Sequence, residues 1–240
     1  MESSIIIRTH NEETWVGIML ARLASQSYQN FEIIIVDSGS TDRTLEIIKK
    51  FPVRLIQIPA EDFTYPYALN VGCRAAKAEK YFVFLSAHSL PISDSWLEDG
   101  LSNFVDNKIF GVYGMTQALP NGTFWEKLLF SKHKVSRARL SGFKKQVSGA
   151  GIGVMGFTNA AIRREFWDQK NFDENYELGG EDQVWSDMWF KKGFVAILDS
   201  AFSVAHSHGL GLRGLWKQYR YWKSVVARPQ KFRKLKFRGR

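Results

Sequence analysis

An acidic residue, Asp37, directly follows the apolar run Ile33–Val36, and a Ser/Gly loop leads on to Thr41 and Asp42. This order is typical of a buried strand, a short loop and the start of a helix. Open α/β sheets bind ligands at the carboxyl ends of their strands, where N–H groups of a helix start face anions. The pattern therefore predicts a nucleotide site with Asp37 accepting hydrogen bonds. An ordinary strand–helix turn capped by Thr41 has the same composition.

Polar residues also follow two other predicted strands, Ser4–Arg8 and Tyr81–Leu85. The carboxyl ends of parallel strands meet at one edge of a sheet, so we expect these side chains in the same crevice as Asp37. His88 is a candidate ligand for a divalent ion that bridges a diphosphate, because a neutral imidazole binds metals; hydrogen bonding is the alternative role. The candidates are Thr9, Asn11 and Glu12 after the first of these strands, and Ser86 and His88 after the second.

Two acids, Glu181 and Asp182, stand at the expected start of a helix and follow Gly179 and Gly180. The helix dipole stabilises acids at this place, which is a purely structural explanation. The functional explanation is a carboxylate general base held beside the hydroxyl that it deprotonates. The two glycines would then let a substrate approach closely.

Two histidines, His206 and His208, follow the last predicted strand, Phe194–Leu198. Side chains two residues apart on an extended chain point to opposite faces. We therefore expect one of them to face the site, and we do not expect the two to bind one metal together.

The segment Gly151–Gly156 matches G-x-G-x-x-G by its letters. In dinucleotide-binding proteins this motif joins the first strand and helix of a βαβ unit, whereas here it lies in the middle of the chain. A flexible backbone near a substrate is the preferred interpretation, and an NAD(P)-dependent oxidoreductase is the less favoured alternative.

These residues need a framework, and the chain up to Pro91 supplies alternating strands and helices. The alternation predicts a parallel sheet with right-handed crossovers. The predicted strands are Ser4–Arg8, Phe31–Val36, Val53–Ile58 and Tyr81–Leu85, and the predicted helices are Glu12–Ser27, Thr41–Lys50 and Tyr67–Ala78.

The pattern after Pro91 is more mixed. We expect one domain over 1–211, with a nucleotide-binding half at 1–91 and an acceptor-binding half at 92–211. The predicted helices here are Ser93–Val105, Trp125–Arg137, Ala160–Trp167 and Glu181–Lys191, and the predicted strands are Gly111–Leu119 and Phe194–Leu198.

The positive charge of the chain is concentrated in 213–240, which holds 11 of the 33 Lys and Arg residues and no acid, leaving 22 basic against 24 acidic residues elsewhere. Within it, Leu212–Val226 has helical spacing with Trp and Tyr on one side, so the tail 212–240 is predicted to bind an anionic membrane surface. The alternative is that the apolar stripe packs on the domain. No nucleic-acid partner is expected, because the tail has no recognisable reading fold.

Composition also sets expectations about location. The chain has 240 residues with 45% hydrophobic content, which predicts a packed core, and no apolar run reaches the roughly 20 residues of a membrane span. Cys73 is the single cysteine and no leader-like segment is visible, so a cytoplasmic protein is expected. The tail would place it peripherally on the inner face of the cell membrane.

Several of these segments together resemble family 2 glycosyltransferases of the GT-A fold, which are inverting, nucleotide-sugar-dependent enzymes. The resemblance implies an α/β, Rossmann-like fold with a mainly parallel central sheet flanked by helices. It also implies transfer of a sugar, from a UDP-sugar, to a hydroxyl of a glycan or lipid-linked glycan in cell-surface polysaccharide synthesis. The matching segments are IIIRTHNEE (5–13), IIIVDSGSTDRT (33–44), ALNVGCRAAKAEKYFVFLSAH (68–88), GFTNAAIRREFW (156–167) and GGED (179–182).

The resemblance assigns roles to the matching residues. Asp182 is similar to the acid that acts as general base on the acceptor hydroxyl, and Glu181 lies beside it. Asn70 lies on the helix that flanks the diphosphate. The remaining donor-binding residues are Thr9, Asn11 and Glu12 in the entry loop, Asp37 against the base with Ser40 and Asp42 in the same turn, and Ser86.

The chain departs from the family at one motif, because Ser86-Ala87-His88 stands where Asp-x-Asp is usual. His88 takes the place of the second acid, and His206 is similar to a later histidine that completes a metal site. The resemblance therefore implies Mn²⁺ or Mg²⁺ held by His88 and His206. In the alternative, transfer needs no metal and a cation such as Arg8 or Lys144 neutralises the leaving diphosphate. A catalytically inactive nucleotide-sugar-binding scaffold is the remaining alternative.

Overall fold

The computed structural model describes residues 1–225, and its first half is a parallel sheet with crossover helices. Strand β1 pairs in parallel with β2 and β4, and β2 pairs with β3, which confirms the predicted parallel sheet. The register sets Thr9 beside Asp37 and Arg8 beside Ser86, so the polar strand ends lie at one edge. The elements are β1 (Ser3–Thr9), α1 (Val16–Ala24), β2 (Phe31–Asp37), α2 (Thr44–Ile48), β3 (Arg54–Gln57), α3 (Tyr65–Ala75) and β4 (Tyr81–Ser86).

The second half extends the same sheet with mixed strand directions. Its elements are β5 (Leu90–Pro91), α4 (Trp96–Leu101), β6 (Ile109–Gln117), α5 (Phe124–Leu129), α6 (Lys132–Leu140), β7 (Lys144–Val147), β8 (Asn159–Arg163), α7 (Arg164–Gln169), α8 (Glu181–Lys191), β9 (Val195–Ala205) and α9 (Leu212–Val225). Strand β8 is antiparallel to both β4 and β6, whereas β6 and β9 are parallel. The described strands follow the order β3-β2-β1-β4-β8-β6-β9-β5, and β7 also pairs with β9.

The prediction of one helix over Ala160–Trp167 was wrong in its first part, because Asn159–Arg163 is the strand β8 and α7 begins at Arg164. The strand lies between β4 and β6, and Ala160 is paired in register with Phe84 and Tyr113. Burial between two strands suits small side chains, and this packing overrides the helix propensity of alanine.

Two other elements of the second half differ from the predictions. The predicted helix Trp125–Arg137 is two helices, because Phe130 leaves the helical region at φ −104° and ψ 60°. Strand β7 was not predicted; its residues are half-buried or exposed and carry no apolar alternation.

The sheet has an apolar layer on each face. Neighbouring residues of β1 alternate between the layers, with Ile5 and Ile7 on one face and Ile6 on the other. The layer over Ile6 contains aromatic side chains that include Phe84 and Trp185. Because both faces are covered, the polar ends of the strands are held at the edge of the sheet, where a ligand has access.

Helix α9 covers part of the predicted tail. Among residues 1–225, no helix is long and apolar enough to cross a membrane. The last residue of the predicted helix Leu212–Val226 and the basic run 228–240 lie outside the described residues.

Candidate active site

A cavity of about 630 Å³ opens at the carboxyl ends of β1 and β4. It is bounded by loops that are far apart in the chain, which is the arrangement that a shared substrate site requires. Seven of the twelve predicted site residues line it, namely Thr9, Glu12, Ser86, His88, Glu181, Asp182 and His206.

The Asp37 carboxylate lies inside the turn that follows β2. It is fully buried and accepts hydrogen bonds from the Gly39 N–H at 3.1 Å, the Ser40 N–H at 3.0 Å and the Ser40 hydroxyl at 2.5 Å. Gly39 has φ +80°, a conformation that favours glycine. In the described structure Asp37 therefore shapes the turn, and the neighbouring Ser38 lines the cavity.

Asn11 and Asp42 join the loop after β1 to the loop after β2. Asn11 has φ +54°, and its Oδ1 accepts from the N–H of Thr41 at 2.8 Å and of Asp42 at 3.3 Å. The Asp42 carboxylate accepts from the N–H of Thr44 at 2.9 Å and of Glu13 at 3.1 Å. These side chains hold the shape of the crevice entrance.

Asn70 is placed away from the cavity, which corrects its assignment to the diphosphate. It is buried on α3, and its Nδ2 donates to the Phe172 carbonyl and to Glu174, both at 2.9 Å. Its Oδ1 accepts from the Trp167 indole at 3.1 Å and from the Phe172 N–H at 3.2 Å. With its amide satisfied on both sides, Asn70 tethers the segment before α8 to α3.

Three histidines meet at the cavity wall. The ligand-capable nitrogens of His88, His206 and His208 all lie within 4.8 Å of one another, and the Nε2 atoms of His206 and His208 are 3.0 Å apart. The prediction that His206 and His208 point apart was wrong, because β9 ends at Ala205 and the chain no longer alternates as a strand. The Glu126 carboxylate accepts from the His208 N–H at 2.9 Å and holds this turn.

His88 is oriented by an acid, because its Nδ1 lies 2.7 Å from Oε1 of Glu12. Its Nε2 is buried and has no hydrogen-bond partner among the described residues. Burial, with the neighbouring histidines, holds the pKa of His206 well below its usual value, and burial also lowers the pKa of His208. Neutral imidazoles with a free nitrogen are the form that binds metal ions, so this cluster fits a divalent cation.

The acid pair begins α8, and Gly180 precedes it with φ +93°. Glu181 lies 3.5 Å from the Arg8 guanidinium, which also lies over the Tyr65 ring at 4.8 Å. Burial raises the pKa of Glu181 to about 8, the Asp182 charge adds to this, and Arg8 opposes it. Burial also raises the pKa of Asp182, against two hydrogen bonds from backbone N–H groups. The cavity therefore holds a carboxyl group whose proton affinity is enhanced beside a paired cation.

The two cations proposed for a metal-free leaving-group site have different positions. Arg8 lines the cavity and is paired with Glu181. Lys144 is not among the cavity-lining residues; its Nζ lies 3.0 Å from Asp199 and donates to Asn103 at 2.9 Å. The contacts of Lys144 are therefore structural, and they lie away from the cavity where a leaving diphosphate would bind.

Helix α9 forms part of the cavity wall, which agrees with the alternative that its apolar stripe packs on the domain. Leu215, Gln218 and Trp222, on one helical face, line the cavity. A Cβ atom on Gly179 would come within 2.9 Å of the Trp222 ring, and the Tyr221 hydroxyl donates to the Leu178 carbonyl at 2.7 Å. The described part of the tail thus packs on the domain beside the acid pair.

A sheet of this order with a cleft at its strand ends is the GT-A glycosyltransferase fold. The chain belongs to glycosyl transferase family 2, because the sequence model of that family matches residues 4–169. It is 24% identical over 221 residues to the O-antigen chain rhamnosyltransferase WbaN of Salmonella anatum, an alignment that covers 90% of this chain and 69% of that protein.

Solved structures share the fold. The mannosyltransferase PcManGT from Pyrobaculum calidifontis, in complex with GDP-Man and Mn²⁺, has a TM-score of 0.64 and 20% identity, over 91% of this chain and 60% of that one. TarS 1–349 from S. aureus, in complex with UDP-GlcNAc, has a TM-score of 0.64 and 18% identity, over 94% of this chain and 64% of that one. The chain thus spans less than two thirds of the length of each of these structures.

Proposed function

We propose that the protein transfers a glycosyl group from a nucleotide-diphosphate sugar, a UDP-sugar in the first instance, to a hydroxyl of a glycan or lipid-linked glycan in cell-surface polysaccharide synthesis. One observation carries the proposal: the acid pair and the His88 loop line the same cavity, although about a hundred residues separate them in the chain. Family membership and relatives such as WbaN support it.

Asp182 is the proposed general base. Its carboxylate lines the cavity and is held by the N–H groups of Gln183 at 2.7 Å and Phe157 at 3.4 Å. It would take the proton of the acceptor hydroxyl as the oxygen attacks the anomeric carbon from the face opposite the leaving diphosphate. A single displacement of this kind inverts the anomeric configuration.

A divalent cation, Mn²⁺ or Mg²⁺, is the proposed cofactor. His88 and His206 would hold it with His208, because the buried Nε2 of His88 is unpartnered in the described structure and Glu12 orients the ring. When bound, the ion would neutralise charge on the diphosphate. The transfer without metal stays the alternative, with Arg8 facing the same cavity.

Two other functions are less well supported. A catalytically inactive nucleotide-sugar scaffold is favoured by the uncharged Ser86 where the family has an acid. The oxidoreductase alternative has no support in the fold, because Gly151–Gly156 lies in the loop between β7 and β8 and not in a βα turn.

The decisive experiment incubates the full chain with UDP-, GDP- and dTDP-sugars and a glycan acceptor, and follows release of the nucleoside diphosphate. Nuclear magnetic resonance then reads the anomeric configuration of the product. We expect transfer with inversion from one of these donors. Retention of configuration would contradict the single displacement, and donor binding without turnover would favour the scaffold.

The tail is proposed to bind an anionic membrane surface, which would place the protein peripherally on the cytoplasmic face of the cell membrane. Four basic residues and no acid lie within Leu212–Val225, and Trp216 and Tyr219 are exposed on it. Sedimentation with anionic vesicles, with and without residues 228–240, tests the contribution of the tail; equal binding of the two chains would remove that contribution.

A further inference from the structure

Helix α5 exposes an apolar surface beside the cavity. Phe124, Trp125, Leu128 and Leu129 of this short helix, with Phe130 directly after it, are between 38% and 70% exposed. Folded chains seldom leave so many large apolar side chains together in water unless the patch binds something. We call these five residues the α5 patch.

The exposure is built into the fold. Glu126, the acid of α5, is buried, and forms a capping box with Thr123. The same carboxylate accepts from the N–H groups of His208 at 2.9 Å and Leu210 at 3.2 Å. The polar side of the helix is thus turned inward and fixed, so that the apolar side is held outward.

Helix α9 begins next to α5 and exposes aromatic residues of its own. The Thr123 hydroxyl donates to the Leu210 carbonyl at 2.7 Å, two residues before α9. Leu212, Trp216 and Tyr219 lie at helical spacing and are each more than half exposed. The exposed residues of α9 therefore begin close to the helix that carries the α5 patch.

Charge decides which partner fits this surface. Residues 123–140, which contain α5 and the adjoining α6, carry five Lys and Arg and one acid, the buried Glu126, and Leu212–Val225 adds four basic residues and no acid. A second copy of the chain would bring the same positive charge against it, and segment 226–240, with seven Lys and Arg and no acid, has the same sign. An anionic lipid surface supplies both the apolar interior and the opposite charge.

We propose that the α5 patch, together with the exposed side of α9, inserts into the interface of an anionic bilayer. Phe130 of the patch and Leu215 and Trp222 of α9 line the cavity, so docking would set the cavity mouth at the lipid surface. Resting on the proposed function, this arrangement selects an acceptor whose glycan is carried on a membrane lipid.

Vesicle binding by the full chain tests the proposal. The triple variant Trp125→Gln, Leu128→Gln, Leu129→Gln removes apolar surface while glutamine keeps the helix propensity. The matched control, Ile18→Gln with Val105→Gln, replaces exposed apolar residues elsewhere; Val105 is 86% exposed. We expect wild type and control to sediment with phosphatidylglycerol-containing vesicles and the triple variant to bind roughly tenfold more weakly.

Three outcomes would overturn the docking surface. They are absence of wild-type binding to anionic vesicles, binding of the triple variant equal to wild type, and a wild-type dimer in light scattering that the triple variant converts to monomer. The last outcome would assign the patch to self-association. Circular dichroism and melting temperatures check that the variants fold, and a UDP-induced rise in melting temperature reports donor binding separately. Failure of vesicle binding is therefore distinguishable from failure of the proposed function.

Discussion

Asp182 and Glu181 are neighbours in the chain, but their side chains have different partners. Asp182 is held by backbone N–H groups, whereas Glu181 lies against Arg8. Burial raises both pKa values, and the Asp182 charge further raises that of Glu181. The Asp182 carboxylate lines the cavity and already accepts two backbone hydrogen bonds, which suits it to be the proposed base, while Glu181 lies beside Arg8.

Asp182→Asn removes the proposed base with little change in volume. We expect turnover to fall by roughly 10²- to 10⁴-fold, because asparagine cannot take the acceptor proton. Initial rates with saturating donor measure the effect, and Asp187→Asn on the same helix is the control. Near-normal turnover of a folded Asp182→Asn protein would remove this residue from the proposed role.

Glu181→Gln tests the raised pKa through stability. The folded state keeps a proton on Glu181 up to about pH 8, whereas an unfolded glutamate loses it near its ordinary pKa of 4.5. Stability from this group is therefore present at low pH and lost as the pH rises between these values, with a slope of up to about 1.4 kcal/mol per pH unit.

Glutamine mimics the protonated acid and does not titrate. The melting temperature of Glu181→Gln minus that of wild type should therefore increase as the pH rises from 5 to 8. The exposed Glu165→Gln is the control and should track wild type throughout. A constant difference between Glu181→Gln and wild type over this range would show that the carboxyl group is not buried as described.

Metal binding by the histidine cluster can be measured without turnover. Three imidazoles suit later transition metals better than Mg²⁺, which prefers oxygen ligands, so we expect Mn²⁺ or Co²⁺ to raise the melting temperature more than Mg²⁺ does. His208→Ala should weaken the Mn²⁺ affinity roughly tenfold. The exposed His133→Ala is the matched control. Equal Mn²⁺ affinities for the two variants would exclude His208 as a ligand.

At the scale of elements, the sequence predicted what local signals determine. The apolar run before Asp37 and the polar residues after it identified β2 and its turn correctly. Strand β8 was missed because its Ala residues are extended only through pairing with β4 and β6, which are distant in the chain. His208 was missed for a similar reason: Glu126, far away in the chain, holds its backbone. A sequence signal was present, since Glu126 is the single acid in 107–164.

The packing of α9 on the loop before α8 gives an element-scale prediction. Gly179→Ala places a Cβ at φ +106° and within 2.9 Å of the Trp222 ring, whereas Gly193→Ala has a similar φ of +88° and no atom within 4 Å. Backbone strain alone is of the order of 1–2 kcal/mol, so Gly179→Ala should lower the free energy of unfolding by more than Gly193→Ala does.

Denaturant melts of both glycine variants, in wild-type and Trp222→Ala backgrounds, measure this difference. The excess destabilisation of Gly179→Ala should shrink when Trp222 is removed, because the two changes share one contact. Equal losses for Gly179→Ala and Gly193→Ala in the wild-type background would mean that α9 does not rest on this loop.

At the scale of the whole molecule, the cavity lies at the carboxyl ends of β1 and β4, and residues of α5 and α9 form part of its wall. The parallel first half follows from the alternation of strands and helices, and it positions the loops of Thr9 and Ser86 at one edge. The second half adds the acid pair, His206, His208 and α9 to the same edge. Its strand order was not predictable from local pattern, because antiparallel β8 reaches its place through pairing with β4 and β6.

If the cavity mouth faces the bilayer, salt should affect transfer to a lipid-linked acceptor more than transfer to a water-soluble one. Charge attraction to an anionic bilayer is screened beyond about 10 Å at 0.1 M salt and beyond about 3 Å at 1 M. Glycosyl transfer to a lipid-linked acceptor in phosphatidylglycerol vesicles should therefore fall several-fold between these salt concentrations. Transfer to a short, water-soluble form of the same acceptor should change less, because it does not depend on attraction of the protein to the bilayer.

Parallel initial-rate measurements with the two acceptors at the same donor concentration test this separation. The triple α5-patch variant supplies an internal check, since its rate on the vesicle acceptor should be low at both salt concentrations while its rate on the soluble acceptor stays near that of wild type. An equal salt response for the two acceptors would mean that the membrane face does not deliver the substrate. The acceptor would then reach the Asp182 carboxylate from solution, and the proposed transfer would stand without the docking surface.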